Sequence, residues 1–318
     1  MKYSIILLIY NSPLESILMT LKSIIMQKFE DFEIIIADDG SKKKYLTEIE
    51  NYMVQNKFDK FCFAPSEKNV GTVKNILRAL KLANGKYIKC IGAGDLLKNK
   101  DVLQYVYDEM SEKGAKWAFG EMSGYCIENG KVKNRNFFAP LEKYPYKRNQ
   151  LSTIRKKIIV CQEHISGAAM FFEKDYFVKY LKEIENCVIY TEDIVQVLIM
   201  IKDPNILYLK NKVVLYEVGS GISTAQKGFT VVDKDIEQFD RYIEKTYHDE
   251  LIEKRLYRER VLKEANRLYK YLYLLLEAPI RVVLEQYAKH TFFTPKEQLG
   301  YLNDESFLNE FGLIREKK

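Results

Sequence analysis

Five carboxylates stand where a chain of this kind could put them to chemical use. Asp38 and Asp39 close FEIIIADDGS, an apolar and β-branched run from Phe32 that ends in two acids and a Gly-Ser turn. Asp95 closes GKYIKCIGAGD in the same manner, and Glu192 and Asp193 form TED ahead of the apolar segment Ile194 to Ile201. An ionised carboxylate can accept an N–H from a ligand, hold a hard cation or take a proton as a general base. An acid at the carboxyl end of a buried parallel strand lies where open α/β sheets bind ligands. A plainer reading stands beside each: Asp-Gly-Ser is ordinary turn chemistry, and acids ahead of a helix are favoured by its dipole.

The elements that would position these acids read as alternating strands and helices. Tyr3 to Ile9, Phe32 to Ala37, Phe61 to Ala64 and Tyr87 to Ile91 are predicted strands. Leu14 to Gln27, Tyr45 to Asn56 and Thr72 to Ala83 are predicted helices, the last stopped by Asn84 and Gly85. Such alternation specifies an α/β fold with a mostly parallel central sheet flanked by helices. Beyond Trp117 the pattern loosens into shorter strands, including Ala168 to Phe172 and Ile206 to Leu209, around a charged stretch from Lys131 to Lys157. A helical region from Asp233 to His290 reads as an appendage to the α/β unit.

Composition narrows the function classes. The chain has 318 residues, 47% of them hydrophobic, which suffices for a large core. Five scattered cysteines without a CxxC pair indicate neither a disulfide framework nor a zinc site and fit a cytoplasmic protein. The apolar run in MKYSIILLIYNS is too short for a signal-peptide core, and no run of the length a membrane span requires is present. There is no GxxxxGK[ST]; the Gly92-Ala93-Gly94 start of a dinucleotide fingerprint has Leu97 at its third glycine; and HExxH and GxSxG are missing. P-loop, Rossmann, zinc-protease and serine-hydrolase chemistry are therefore not expected.

The motifs together resemble family 2 glycosyltransferases. SIILLIYN at Ser4 to Asn11, IIADDGS at Ile35 to Ser41, NVGTVKN at Asn69 to Asn75, GKYIKCIGAGD at Gly85 to Asp95 and TED at Thr191 to Asp193 are similar to that family in order and spacing. YEVGSGIST at Tyr216 to Thr224 is similar to its closing strand and loop. The resemblance implies a GT-A domain over residues 1–225, with a nucleotide-binding half at 1–100 and an acceptor half at 101–225, and a helical extension over 226–318. It also implies a nucleotide-diphospho-sugar donor, a divalent cation (Mn²⁺ or Mg²⁺) and inversion at the anomeric carbon.

By the same resemblance, Asp39 would accept the imide N–H of a uracil, with Asp38 shaping the pocket. Asn69, Gly71 and Lys74 would lie beside the nucleotide, Lys74 paired with a donor phosphate or simply on the surface. The family's acidic metal motif is reduced here to Gly92, Ala93, Gly94 and Asp95, leaving Asp95 as its one carboxylate. The glycines are expected to let backbone N–H groups approach the diphosphate in partial substitution for lost metal charge. Asp193 would be the catalytic base and Glu192 its support or an acceptor contact. The acceptor is expected to be a glycan or lipid-linked hydroxyl of cell-surface polysaccharide synthesis. An alternative is a degenerate module that binds a nucleotide sugar or a partner without turnover.

Charge bears on partners. The net charge is +6, and between Lys254 and Lys270 seven bases outweigh Glu259 and Glu264 before an aromatic and aliphatic stretch that ends at Pro279. That combination suits peripheral contact with an anionic membrane surface, and equally a solvated face beside a packed helix end. Nucleic acid is not an expected partner, and self-association is left open.

Overall fold

The computed structural model describes residues 1–128, 131–135, 139–219 and 229–277. Its first part follows the alternation in the sequence: β1 (Tyr3–Ile9), α1 (Leu14–Ile25), β2 (Phe32–Asp38), α2 (Leu46–Gln55), β3 (Phe61–Phe63), α3 (Thr72–Leu80) and β4 (Tyr87–Gly92). These strands pair in parallel in the order β3-β2-β1-β4, with Ile9 opposite Asp38 and Leu8 opposite Gly92. Successive side chains of β1 point to opposite faces. Ile5 and Leu7 pack with Ile17, Leu21 and Ile24 of α1, whereas Ile6 packs with Val73, Ile76 and Leu80 of α3.

The second part is a mixed sheet. β5 (Leu96–Leu97) and α4 (Val102–Glu112) lead into β6 (Trp117–Glu128), a 12-residue strand, and β7 (Lys131–Arg135). Then come α5 (Tyr144–Lys147), α6 (Leu151–Ile159), a 3₁₀ turn at Gly167–Ala169 and β8 (Met170–Glu173). They are followed by α7 (Lys174–Ile184), a 3₁₀ turn at Glu192–Ile194, α8 (Val195–Lys202) and β9 (Leu207–Glu217). The sheet order is β3-β2-β1-β4-β8-β6-β9-β5, with β7 on β6. β8 runs antiparallel to both β4 and β6, and β9 runs parallel to β6.

Three differences from the sequence expectation have local causes. The strand expected at Ala168 begins at Met170, because residues 167–169 turn to face the buried Lys89. The strand expected over Ile206 to Leu209 continues to Glu217, since its partner β6 is equally long. β6 itself went unread because Gly120, Gly124 and three polar residues interrupt its apolar pattern.

The C-terminal helices α9 (Phe229–Thr246), α10 (Glu250–Glu264) and α11 (Arg267–Glu277) cover part of the region expected to be helical; residues 278–290 lie outside the described residues. Phe239 and Ile243 of α9 and Ile252 of α10 belong to the same buried cluster as Trp117 and Leu198. Buried Arg255 of α10 donates to Asp240 of α9 at 2.7 Å and to the Ile159 carbonyl at 3.0 Å. An arginine buried with a carboxylate and a carbonyl is fixed by partners it would be costly to lose. Among the described residues no helix is long and apolar enough to cross a membrane.

Candidate active site

The chain crosses from β3 back past β1 to β4, so the carboxyl ends of β1, β2 and β4 open on a topological switch point, the usual ligand crevice of an α/β sheet. Two adjoining cavities of about 210 and 200 Å³ lie there and share Leu8, Thr72, Gly92, Asp95, Tyr190 and Tyr216. The first is lined also by Tyr10, Ser12, Asp39, Asn69, Asn75, Ala93 and Glu217. The second adds Ser166, Gly167, Glu192, Asp193 and Val232. Four of the acids singled out in the sequence, Asp39, Asp95, Glu192 and Asp193, therefore converge from two strand ends and one 3₁₀ turn.

The DDGS turn divides the labour between its two acids. The Asp38 carboxylate accepts the Ser41 N–H at 2.7 Å and lines neither cavity, so it builds the turn. Gly40 is needed there: its φ is +78°, and a Cβ would meet the Lys68 carbonyl carbon at 2.4 Å. Asp39 is buried but faces the first cavity, its oxygens accepting the N–H groups of Val70 at 2.8 Å and Gly71 at 3.0 Å. Each oxygen keeps a second lone pair for a ligand N–H. Burial raises the Asp39 carboxyl above its ordinary range against the pull of those two amides and of Arg78.

Helix α3 shows which of its residues can reach a donor. Thr72 and Asn75, three positions apart, share the face that lines the cavity. Lys74 lies on another face and lines a separate cleft with Lys81, Lys174 and Lys182, so the structure does not bring it to Asp39 or Asp95. Asn69 accepts from Gly71 N–H and from the Tyr190 hydroxyl, at 3.1 and 3.3 Å. Gly71, with φ +87°, lets the loop pass Ile189, whose side chain would lie 2.3 Å from any Cβ.

The GAGD loop corrects one expectation. The N–H groups of Ala93, Gly94 and Asp95 donate to Leu8 O, Thr20 Oγ1 and Gly92 O at 3.1, 2.9 and 3.1 Å. They are spent on the fold and do not present themselves to a diphosphate. Gly94 instead makes room for a side chain: a Cβ there would fall 2.0 Å from a carboxylate oxygen of Glu217, at the end of β9. The Glu217 N–H in turn donates to Asp95 at 2.9 Å. Burial, with the Glu217 charge adding to it, pushes the Asp95 carboxyl up to about 7 against its backbone donors and Lys89. Among the described residues no three His, Cys, Asp or Glu side chains are grouped as a metal site.

The surroundings of Asp193 are assembled from distant segments. Asp193 Oδ2 meets His164 Nε2 at 2.8 Å and accepts the Gly167 N–H at 3.1 Å. Buried Gln196 bridges the two stretches, bonding both backbone groups of Ile165 and the Asp193 carbonyl. Gly167 leaves the space that Glu192 fills, since a Cβ would lie 2.6 Å from its oxygen. Desolvation, reinforced by the Asp193 charge, raises the Glu192 carboxyl well above the usual range. Desolvation pulls the His164 imidazole down, but the charge and hydrogen bond of Asp193 outweigh it, and its net shift is upward. Fully buried Lys89 donates to the carbonyls of Cys90 at 2.8 Å, Ala168 at 2.5 Å and Met170 at 3.4 Å, bracing the turn behind Glu192. Its ammonium is lowered to about 8 by desolvation.

Sequence reasoning missed Glu217, His164, Gly167, Gln196 and Lys89. Glu217 lies inside the YEVGSGIST stretch, and an acid there in a chain whose acidic motif is reduced is the available signal. The rest of that stretch, from Ser220, lies outside the described residues.

Comparison with known proteins bears on this geometry. The chain is 28% identical over 184 residues to an uncharacterized glycosyltransferase of Methanocaldococcus jannaschii, which covers 56% of this chain and 58% of that protein. It is 24% identical over 127 residues to glycosyltransferase GlyG of Streptococcus pneumoniae serotype 4, which covers 40% of this chain and 41% of that protein. The chain thus spans about half the length of these curated relatives. Among solved structures, S. aureus TarS 1-349 in complex with UDP-GlcNAc matches with TM-score 0.54 and 19% identity over 92% of this chain and 88% of that one. Mannosyltransferase PcManGT from Pyrobaculum calidifontis, in complex with GDP-Man and Mn²⁺, matches with TM-score 0.56 and 13% identity over 98% and 84%. At such identities the likeness establishes the GT-A fold alone. The model of glycosyl transferase family 2 matches residues 4–177, more than half of the chain, including the ends of β1, β2 and β4 that open on the first cavity, and the chain belongs to that family.

Proposed function

We propose that the chain is an inverting glycosyltransferase that moves a sugar from a uridine-diphospho-sugar to a hydroxyl of a glycan or lipid-linked acceptor of the cell surface. The observation that carries this reading is the pair of cavities with a common wall: Asp39 faces one, Asp193 the other, and Asp95 both. A donor base held at Asp39 places its diphosphate and sugar toward the wall, and the acceptor enters beside Asp193.

Both contacts to Asp193 fall on Oδ2, which leaves Oδ1 as the oxygen to take a proton. The acceptor hydroxyl attacks the anomeric carbon as its proton passes to Oδ1. The new C–O bond forms while the bond to the diphosphate breaks, and the nucleotide departs with that electron pair on the opposite face. His164 and Gly167 fix the orientation of Asp193, and raised Glu192 can stand protonated beside it without adding a second negative charge.

A divalent cation fits the residues present. Asp95 and Glu217 would hold it, because the space of a side chain at position 94 is filled by the Glu217 carboxylate, and two carboxylates with phosphate oxygens and water make an ordinary hard-cation shell. When bound, the ion supplies charge neutralisation to the departing diphosphate. Exposed Leu268, Tyr269, Leu272, Leu275 and Leu276 on α11 support peripheral membrane contact near a lipid-linked acceptor.

Calorimetry with UDP, GDP and CMP, with and without Mn²⁺, tests the donor site on wild type and Asp39→Asn. UDP binding that strengthens with Mn²⁺ and weakens in the variant is expected, followed by NMR of the product anomer to establish inversion. Absence of binding to every nucleotide would replace this reading with the non-catalytic module.

A further inference from the structure

Helix α9 holds the loop that precedes Asp193 through a buried side chain, Asp235. Asp235, 2% exposed, accepts four hydrogen bonds from three consecutive residues. Its Oδ1 takes the Ile189 N–H at 3.1 Å, and its Oδ2 takes the N–H of Tyr190 at 2.7 Å, the N–H of Thr191 at 3.0 Å and the Thr191 hydroxyl at 3.1 Å. Successive N–H groups gathered on one carboxylate fix several backbone dihedrals at once. Glu192 and Asp193 follow immediately.

Two of the three residues, Ile189 and Tyr190, touch the donor side. The Ile189 carbonyl accepts the Val73 N–H at 3.1 Å, its side chain packs on Gly71, and the Tyr190 hydroxyl donates to Asn69. Val232, one turn ahead of Asp235, lines the cavity of Asp193. The loop is thus a strut between the nucleotide pocket and the base, and its anchor comes from a helix that lies beyond the matched family segment.

We propose that Asp235 is a positioning residue for the transfer reaction: by clamping residues 189–191 it sets where Asp193 stands relative to the donor, which makes α9 part of the catalytic unit. This rests on the functional reading above for the word catalytic, while the clamping itself does not. Placement matters because a displacement of about 1 Å in a reacting group can cost roughly 100-fold in rate.

The test compares Asp235→Asn with Thr191→Val, which removes one of the four bonds, and with Asp240→Asn, which loosens the pair between the same helix and Arg255 of α10 without touching the loop. The first measurement is the imidazole titration of His164 by NMR in the full chain, assigned with His164→Gln among the three histidines. In wild type the proximity of Asp193 holds this titration above that of a free imidazole; it is expected to fall toward the ordinary value in Asp235→Asn, less in Thr191→Val, and to stay in place in Asp240→Asn. The second measurement is UDP release from UDP-sugars with water or acceptor, where kcat is expected to fall roughly 10- to 100-fold in Asp235→Asn while UDP affinity by calorimetry changes less than about threefold. An unchanged His164 titration in Asp235→Asn, or the same change in Asp240→Asn, would overturn the proposal. A wild type that neither binds UDP nor releases it would remove the functional reading, and the His164 titration would then decide the clamp alone.

Discussion

The Asp39 side and the Asp193 side of this molecule are built on different principles. On the first, Asp39 and Asp95 are delivered by the strands that precede them, and their turns are written next to them as Gly40 and Gly94. On the Asp193 side, the acid sits on a short 3₁₀ turn whose position depends on Gln196, three residues on, and on His164, Gly167, Lys89 and Asp235, from three other parts of the chain. Local construction makes a site legible and robust. Assembly from afar makes it invisible in the sequence and sensitive to remote change.

The comparison can be broken or sharpened by substitution. Asp193→Asn gives the largest expected effect, a loss of about 10³-fold in kcat, in the range for removal of a general base, with UDP binding left intact. Equal loss of UDP binding would mean that the two sides are not separate in function. Gly71→Ala tests the place where they touch. Its positive φ and the Ile189 contact should cost about 1–3 kcal/mol of stability, read as a lowered midpoint in urea. A midpoint that does not move would show that the donor loop and the base loop yield independently. Glu217→Gln should weaken Mn²⁺ binding in the presence of UDP by roughly tenfold, the lower end for loss of a group at a metal site, measured by titration of the Mn²⁺ electron-resonance signal. Unchanged Mn²⁺ affinity would leave Asp95 as the sole protein ligand.

The smallest effect concerns pH. His164 has a folded pKa above its ordinary value of 6.5, so the folded chain binds this proton more tightly than the unfolded chain does. The contribution to stability is full below 6.5 and fades as pH rises through the folded value. It is small because the His164 side chain is 52% exposed and solvent screens the pair. Urea midpoints of wild type and His164→Gln should therefore converge on going from pH 6 to pH 9, and a constant difference would deny the ion pair.

How much of this was readable follows from the same contrast. β1, β2, β4, α1 and α3 declare themselves through apolar period and glycine punctuation, and with them came the switch point and the acids at its rim. β6 did not, since glycines and polar residues break its alternation, and in its long partner β9 the polar run Lys210-Asn211-Lys212 ends the apolar pattern early. Of the two readings of Lys74, phosphate partner or surface lysine, the sequence does not choose, because spacing on a helix gives the face only once one residue of that face is known; Thr72 and Asn75 supply it. Asp235 lies 44 positions from the Thr191 it binds, a distance over which no local pattern operates.

The Glu217 side chain and the vacant position at Gly94 amount to an exchange of one acid between two places in the chain. With only 2.0 Å between that oxygen and the spot where a Cβ at 94 would stand, a side chain at 94 requires the Glu217 carboxylate to swing away, and the φ of +103° strains it besides. The two positions should therefore change together through descent: relatives that keep an acid at 94 should carry a smaller or withdrawn side chain at 217, and Gly94→Asp alone should harm this protein more than Gly94→Asp with Glu217→Ala, which keeps the backbone strain.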